Sequence, residues 1–207
     1  MNSVTFYFDF VSPYSYLAHA QMASLTQQAN AHIDYVPVFL GGLHKAQEVT
    51  SPAFIPSKAK WIIRDCHMWA DQLQLPLKWS PYFPFNTIPL LRACVWLQQN
   101  RADKVADFVD QTFKAIWEQK LDVSNMTDVS SHLQSMALDP EEVFQGAGQP
   151  EVKQALKDNG DLAAQKEMFG LPVFEVNDKL YFGQDRLHFV SQALTGKPFN
   201  DSAPASN

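Results

Sequence analysis

Ser12 closes an aromatic run, Phe6-Tyr7-Phe8-Asp9-Phe10-Val11, and stands directly before Pro13. A serine then a proline, where an extended run gives way to a helix, reads as an N-cap with proline at the first helical position. A hydroxyl is thereby held among free N–H groups at the positive end of a helix dipole, a setting that stabilises an anion. Ser15 repeats the hydroxyl one turn on. A second segment, Gly170-Leu171-Pro172-Val173-Phe174, puts a proline where a strand begins. A proline there takes a cis bond when the chain must turn sharply and present a bare backbone edge. The third, Phe182-Gly183-Gln184-Asp185, ends a strand and opens a helix, with Asp185 placed to cap it. Helix N–H groups beside Gln184 and Asp185 suit a ligand bearing both a carboxylate and an ammonium group. Each segment also has a plain structural reading, as a cap or a turn. Their order along the chain is what gives them weight.

The elements that must position these groups are legible from periodicity. Residues 4–10 alternate as a strand, 13–29 carry apolar residues at helical spacing, and 33–39 form a second strand limited by Pro37. Gly41-Gly42 reads as a break in regular structure. Helical spacing then dominates 57–74, 87–99, 102–120, 125–136, 140–147 and 150–168, with caps expected at Asn86 or Thr87 and at Asp139. Strands return at 172–176 and 179–182, joined by the two-residue turn Asn177-Asp178, and a last helix runs from Asp185 to Leu194.

Composition narrows the class. The 207 residues are 46% hydrophobic, enough for a full core without disulfides or metals. A net charge of −6 with scattered Lys and Arg argues against nucleic acid as a partner. No basic leader or membrane-spanning run is visible, so the expected location is cytoplasmic. Cys66 and Cys94 fit no metal or redox spacing and read as buried, inert thiols. The six histidines show no arrangement that would make Ser12 the nucleophile of a serine-histidine-aspartate system.

Set aside most of the helical block and the order becomes β-α-β-α-β-β-α. The expected fold class is therefore α/β, a thioredoxin-like fold with a large all-helical insertion. Residues 1–40 and 165–200 would form the thioredoxin-like domain, 41–164 the insertion, and 201–207 a flexible tail. In that fold the bond before Pro172 faces the strand-to-helix corner, so its bare edge would offer the N–H and C=O of Leu171. The corner usually carries Cys-x-x-Cys, where this chain has Ser12-x-x-Ser15. Two serines cannot cycle between thiol and disulfide, which excludes dithiol oxidoreduction. The simplest resolution is a thiol that belongs to a bound molecule.

The motifs FDFVSPYSYLA, GLPVF and FGQDRL, with Lys58-x-x-Trp61-x-x-Arg64-Asp65-x-x-x-Trp69-Ala70, resemble the 2-hydroxychromene-2-carboxylate isomerases over nearly the whole chain. These are relatives of the kappa-class glutathione transferases in the DsbA-like branch of the thioredoxin superfamily. The resemblance implies glutathione as cofactor, a small-molecule substrate and a homodimer. It assigns Ser12 to the glutathione sulfur, and Leu171 with Pro172 to the cysteinyl unit. Phe182, Gly183, Gln184 and Asp185 match the segment for the γ-glutamyl end, while Lys58 and Asn86 match residues around the substrate. His44 and Lys45, after the two glycines, are further candidates for holding a substrate carboxylate. One departure is Val49 with Ser51-Pro52, where many relatives carry Asn and a Pro-Pro pair. The alternatives are a kappa-like transferase or peroxidase with another acceptor, and a non-catalytic thiol- or peptide-binding module.

Overall fold

The computed structural model describes residues 2–196; the tail expected at 201–207 lies outside them. Strands β1 (Asn2–Phe8), β2 (Ala31–Pro37), β3 (Val173–Val176) and β4 (Lys179–Phe182) form one sheet in the order β2-β1-β3-β4. The β1–β2 pair is parallel, while β3 runs antiparallel to both β1 and β4. This is the thioredoxin arrangement, with β1 as an inner strand.

The period-2 pattern explains why β1 is inner. Val4, Phe6 and Phe8 are fully buried on one face, and Tyr7 is buried in a separate cluster with Val38, Leu171 and Val173 on the other. The Phe6 ring stacks on Phe174 and on Phe8, each at 5.2 Å between centroids. The strand ends two residues earlier than the alternation predicts. Asp9 and Phe10 leave the ladder to form the corner before the helix. Pro37 stands at the last residue of edge strand β2, where its missing N–H is harmless. Asn177 and Asp178 both take the left-handed region, with φ of 51° and 62°, as a two-residue hairpin turn requires.

Helix α1 (Pro13–Ala29) has the expected bounds, from N-cap Ser12 to C-cap Asn30 in the left-handed region. Gly41-Gly42 does not break structure, contrary to the expectation. Both glycines lie inside a short helix, α2 (Leu40–Ala46), which Leu43 anchors in the core. Their small size serves Phe39 instead. A Cβ at Gly41 would stand 2.8 Å from the Phe39 ring, which lies over the first turn.

The helical block comprises α3 (Pro56–Gln72), α4 (Ile88–Asn100), α5 (Val105–Trp117), α6 (Met126–Ser135), α7 (Pro140–Ala147) and α8 (Pro150–Gln165). Trp117 fastens it to the corner that follows β1. Its indole is fully buried, and its Nε1–H donates to the Phe10 carbonyl at 2.9 Å. Around it sit Trp79, Phe83 and Phe85. The last helix, α9 (Leu187–Thr195), begins later than expected, after a 3-10 turn over Gln184–Arg186. Asp185 therefore does not cap it, and the carboxylate pairs with Arg186.

At α7, by contrast, the cap is as read: Asp139 accepts from the Glu141 N–H at 3.0 Å, with Pro140 following. Asp139→Ala should lower stability by about 1 kcal/mol, with no effect on ligand binding. Urea unfolding reads the first and calorimetry the second.

Candidate functional site

Ser12 is 4% exposed and tied in three ways. Its N–H donates to the Asp9 carbonyl at 3.0 Å, and its Oγ accepts from the Ser15 N–H at 3.2 Å. Its hydroxyl donates to the Leu171 carbonyl at 3.0 Å, across 159 positions of sequence. The corner of α1 and the start of β3 thus meet at this bond. The Leu171–Pro172 peptide is cis, as expected from the sequence. So is Phe83–Pro84, which the sequence reading did not anticipate. The Leu171 N–H has no hydrogen-bond partner among the described residues. An extended ligand lying along this edge could accept from it. Ser15 is fully buried beneath Ser12, and its Oγ is unpartnered among the described residues.

Asp9 organises the corner, and the sequence reading missed it. The side chain is completely buried. One oxygen accepts from the Val11 N–H at 3.1 Å and from the Thr87 hydroxyl at 2.5 Å; the other accepts from the Leu40 N–H at 2.8 Å. Burial pushes its pKa up to about 6, and these three donors hold it from rising further. A single carboxylate so joins the end of β1, the start of α2 and the start of α4. The signal was present as a lone acid between Phe8 and Phe10. Its partner Thr87 is 78 positions away, beyond any local pattern.

Phe182 and Gly183 lie beside the cis bond. Phe182 pairs with Val173 in the ladder, and the Gly183 N–H donates to the Pro172 carbonyl at 3.0 Å. Gly183 takes φ of 99°, and a Cβ there would stand 2.6 Å from Asp185 Oδ1. Only glycine is comfortable at that position. Phe182 is half-exposed and packs on Phe169 at 4.6 Å, making a small aromatic shelf next to Gly170. The Asp185 carboxylate is accessible. Gln184 turns inward: it is 3% exposed, Gln21 of α1 donates to its Oε1 at 3.4 Å, and its Nε2 is unpartnered among the described residues. Of this segment, then, the backbone and Asp185 face outward, while the Gln184 side chain does not.

The expected substrate residues are more dispersed. Asn86 is exposed; its Oδ1 accepts from the Ile88 N–H at 3.1 Å, while Thr87 occupies the N-cap position of α4 and turns to Asp9. Lys58 is exposed on α3, two turns before Asp65, on the same face. Asp65 accepts from the Tyr14 hydroxyl at 2.8 Å, which sets that face of α3 against the start of α1. His44 and Lys45 occupy the last turn of α2; partial burial pushes the His44 imidazole below its ordinary value. The two cysteines are buried and free, and burial pushes the Cys66 thiol up to about 12. Such thiols carry no thiolate at neutral pH. Among the described residues no cluster of His, Cys, Asp or Glu could hold a metal ion, and no helix is long and apolar enough to cross a membrane.

A family model for DSBA-like thioredoxin domains matches residues 3–195. The chain belongs to this family. Within it, the chain is similar to a 2-hydroxychromene-2-carboxylate isomerase of Sphingobium xenophagum, 28% identical over 198 residues that span 93% of this chain and 97% of the relative. It is also similar to the kappa 1 glutathione S-transferase of Caenorhabditis elegans, 24% identical over 92% of this chain and 90% of the relative. A solved 2-hydroxychromene-2-carboxylate isomerase superposes with a TM-score of 0.83 at 22% identity, covering 93% of this chain and 94% of that one. The DSBA-like fold and the resemblance to these isomerases and kappa transferases are thus borne out. Unlike a Cys-x-x-Cys corner, the corner of this DSBA-like domain holds only hydroxyls.

Proposed function

We propose that the chain is a glutathione-dependent isomerase that interconverts 2-hydroxychromene-2-carboxylate and trans-o-hydroxybenzylidenepyruvate, or a close analogue. One observation carries the reading. A buried serine hydroxyl, at a helix N-terminus whose Ser12-x-x-Ser15 frame holds no cysteine, touches the backbone that precedes a cis-proline. The residues fit glutathione: the Leu171 N–H is unpartnered among the described residues, Gly170 and Gly183 give the Phe182 ring and the Asp185 carboxylate room to lie against this edge, and Asp185 offers its carboxylate to an ammonium group.

Bound glutathione would supply a thiolate that adds to the double bond of an unsaturated α-keto acid and leaves again once the bond has rotated. The chain's part is to stabilise charge. The Ser12 hydroxyl turns from the Leu171 carbonyl toward the sulfur, keeping the Ser15 N–H as its own donor. That donor and the α1 dipole favour the ionised thiol. Leu171 aligns the peptide by its backbone, and the Phe169–Phe182 shelf covers one side. Lys58 and Lys45 supply positive charge for a substrate carboxylate, and Asn86 and the neutral His44 imidazole polar contacts.

Isothermal titration with glutathione, followed by turnover of 2-hydroxychromene-2-carboxylate and of chlorodinitrobenzene, tests this. Saturable glutathione binding with isomerisation is expected. Conjugation without isomerisation would identify a kappa-like transferase instead, and absence of glutathione binding would overturn the reading.

A further inference from the structure

A cavity of about 230 Å³ opens between α2, α4 and α8, and shares no residue with the site around Ser12. Phe39, Leu43, Ile88 and Leu156 wall it, and Arg92 and Lys153 charge it. Along α2 the lining residues Gly42, Leu43 and Ala46 follow a helical stripe, so His44 and Lys45 fall on a different side. The volume is below the roughly 300–1,000 Å³ of sites for drug-sized molecules, which restricts a ligand to about one ring.

Its charge is unbalanced. Lys157 and Asp161, also at the cavity, neutralise each other at 2.7 Å. Arg92 and Lys153 have no ion pair among the described residues, and the Arg92 Nε is sealed from solvent without a hydrogen-bond acceptor. The sealed Nε is out of reach from the cavity, but Arg92 is only partly buried, and its remaining guanidinium N–H groups are what a planar carboxylate matches. Four apolar side chains, one of them aromatic, face the remainder of such a ligand.

We propose that this cavity is a second binding site, for a small aromatic carboxylate. The carboxylate pairs with Arg92 and Lys153, and the ring fills the space between Phe39, Leu43, Ile88 and Leu156. The proposal does not depend on glutathione chemistry at Ser12. The site adjoins the Asp9 knot, since Phe39 and Ile88 are the chain neighbours of the donors Leu40 and Thr87.

Benzoate is the probe, titrated calorimetrically into the full chain, with benzyl alcohol and inorganic phosphate as controls. Saturable one-to-one binding of benzoate, well above either control, is expected. Arg92→Gln should weaken it about tenfold or more. Gly160→Leu is the second variant: Gly160 lines the cavity within α8, a Cβ there meets nothing within 4 Å, and leucine is the better helix former. It should fold normally and block the site. Benzoate binding that persists unchanged in a folded Gly160→Leu protein would overturn the proposal. So would absence of benzoate binding at millimolar concentration, or equal binding of phosphate.

Discussion

Ser12→Ala is expected to slow turnover about 10- to 150-fold while changing glutathione affinity much less. The hydroxyl is the side-chain donor at the corner, and a hydrogen bond to a charged group is worth roughly 1.5–3 kcal/mol, which gives that range of rates. On the proposed reading, affinity would be spread over the Leu171 N–H, the Gly183 segment and Asp185, none of which loses a contact to the ligand in the substitution. The direct measurement is the ionisation of bound glutathione, followed by thiolate absorbance near about 240 nm as pH is raised. The mutant curve should move to higher pH. Two structural losses accompany the change and must be separated from it. The cap on the Ser15 N–H disappears, at about 1 kcal/mol, and the buried Leu171 carbonyl loses its donor. A thermal melt fixes the folded fraction before rates are compared. A folded mutant whose titration curve overlies that of the wild type would make Ser12 a cap and nothing more.

What the sequence makes legible here is whatever depends on neighbours along the chain. The bounds of α1, α7 and β4 follow from caps, prolines and period, and the Asn177-Asp178 turn from residues that tolerate positive φ. The meeting of Ser12 with Leu171 was also readable, because the β-α-β order and a proline at a strand start fix where the chain must return. Local pattern failed where a distant side chain decides. Gly41-Gly42 looks like a break until the Phe39 ring is seen folded over the first turn of α2. Gln184 looks like a surface ligand until Gln21 of α1 holds it inward. Asp185 looks like a cap until the 3-10 turn shifts the start of α9. Arg92 gives no sign in the sequence that its Nε is closed off beside a cavity. Asp9 is the largest omission, since a lone acid in an aromatic run has no visible purpose without Thr87 and Leu40.

That acid should impose a pH dependence on stability. Folded Asp9 has its pKa raised to about 6 from an ordinary 3.8, with burial as the main cause. A carboxyl whose folded value is raised stabilises fully below the unfolded value, and that contribution is lost as pH rises through the folded one. The loss therefore falls between about pH 4 and pH 6 and is complete by pH 7. The gap between the two values corresponds to about 3 kcal/mol. Asp9→Asn removes this titration but also removes an acceptor. The amide has one oxygen for the donors from Val11, Leu40 and Thr87, so at least one buried donor is stranded at every pH. The mutant is thus expected to be less stable than the wild type at pH 4, with the difference shrinking by roughly 2 kcal/mol by pH 7. Urea unfolding of both proteins at several pH values measures it, and taking the difference cancels the titration of the other groups. Thr87→Val supplies the complementary case, since it strips a donor from the ionised form, raises the folded pKa further and should carry the loss to higher pH. A wild-type minus Asp9→Asn difference that stays constant from pH 4 to pH 7 would mean that the three donors outweigh burial and that Asp9 titrates at its ordinary value.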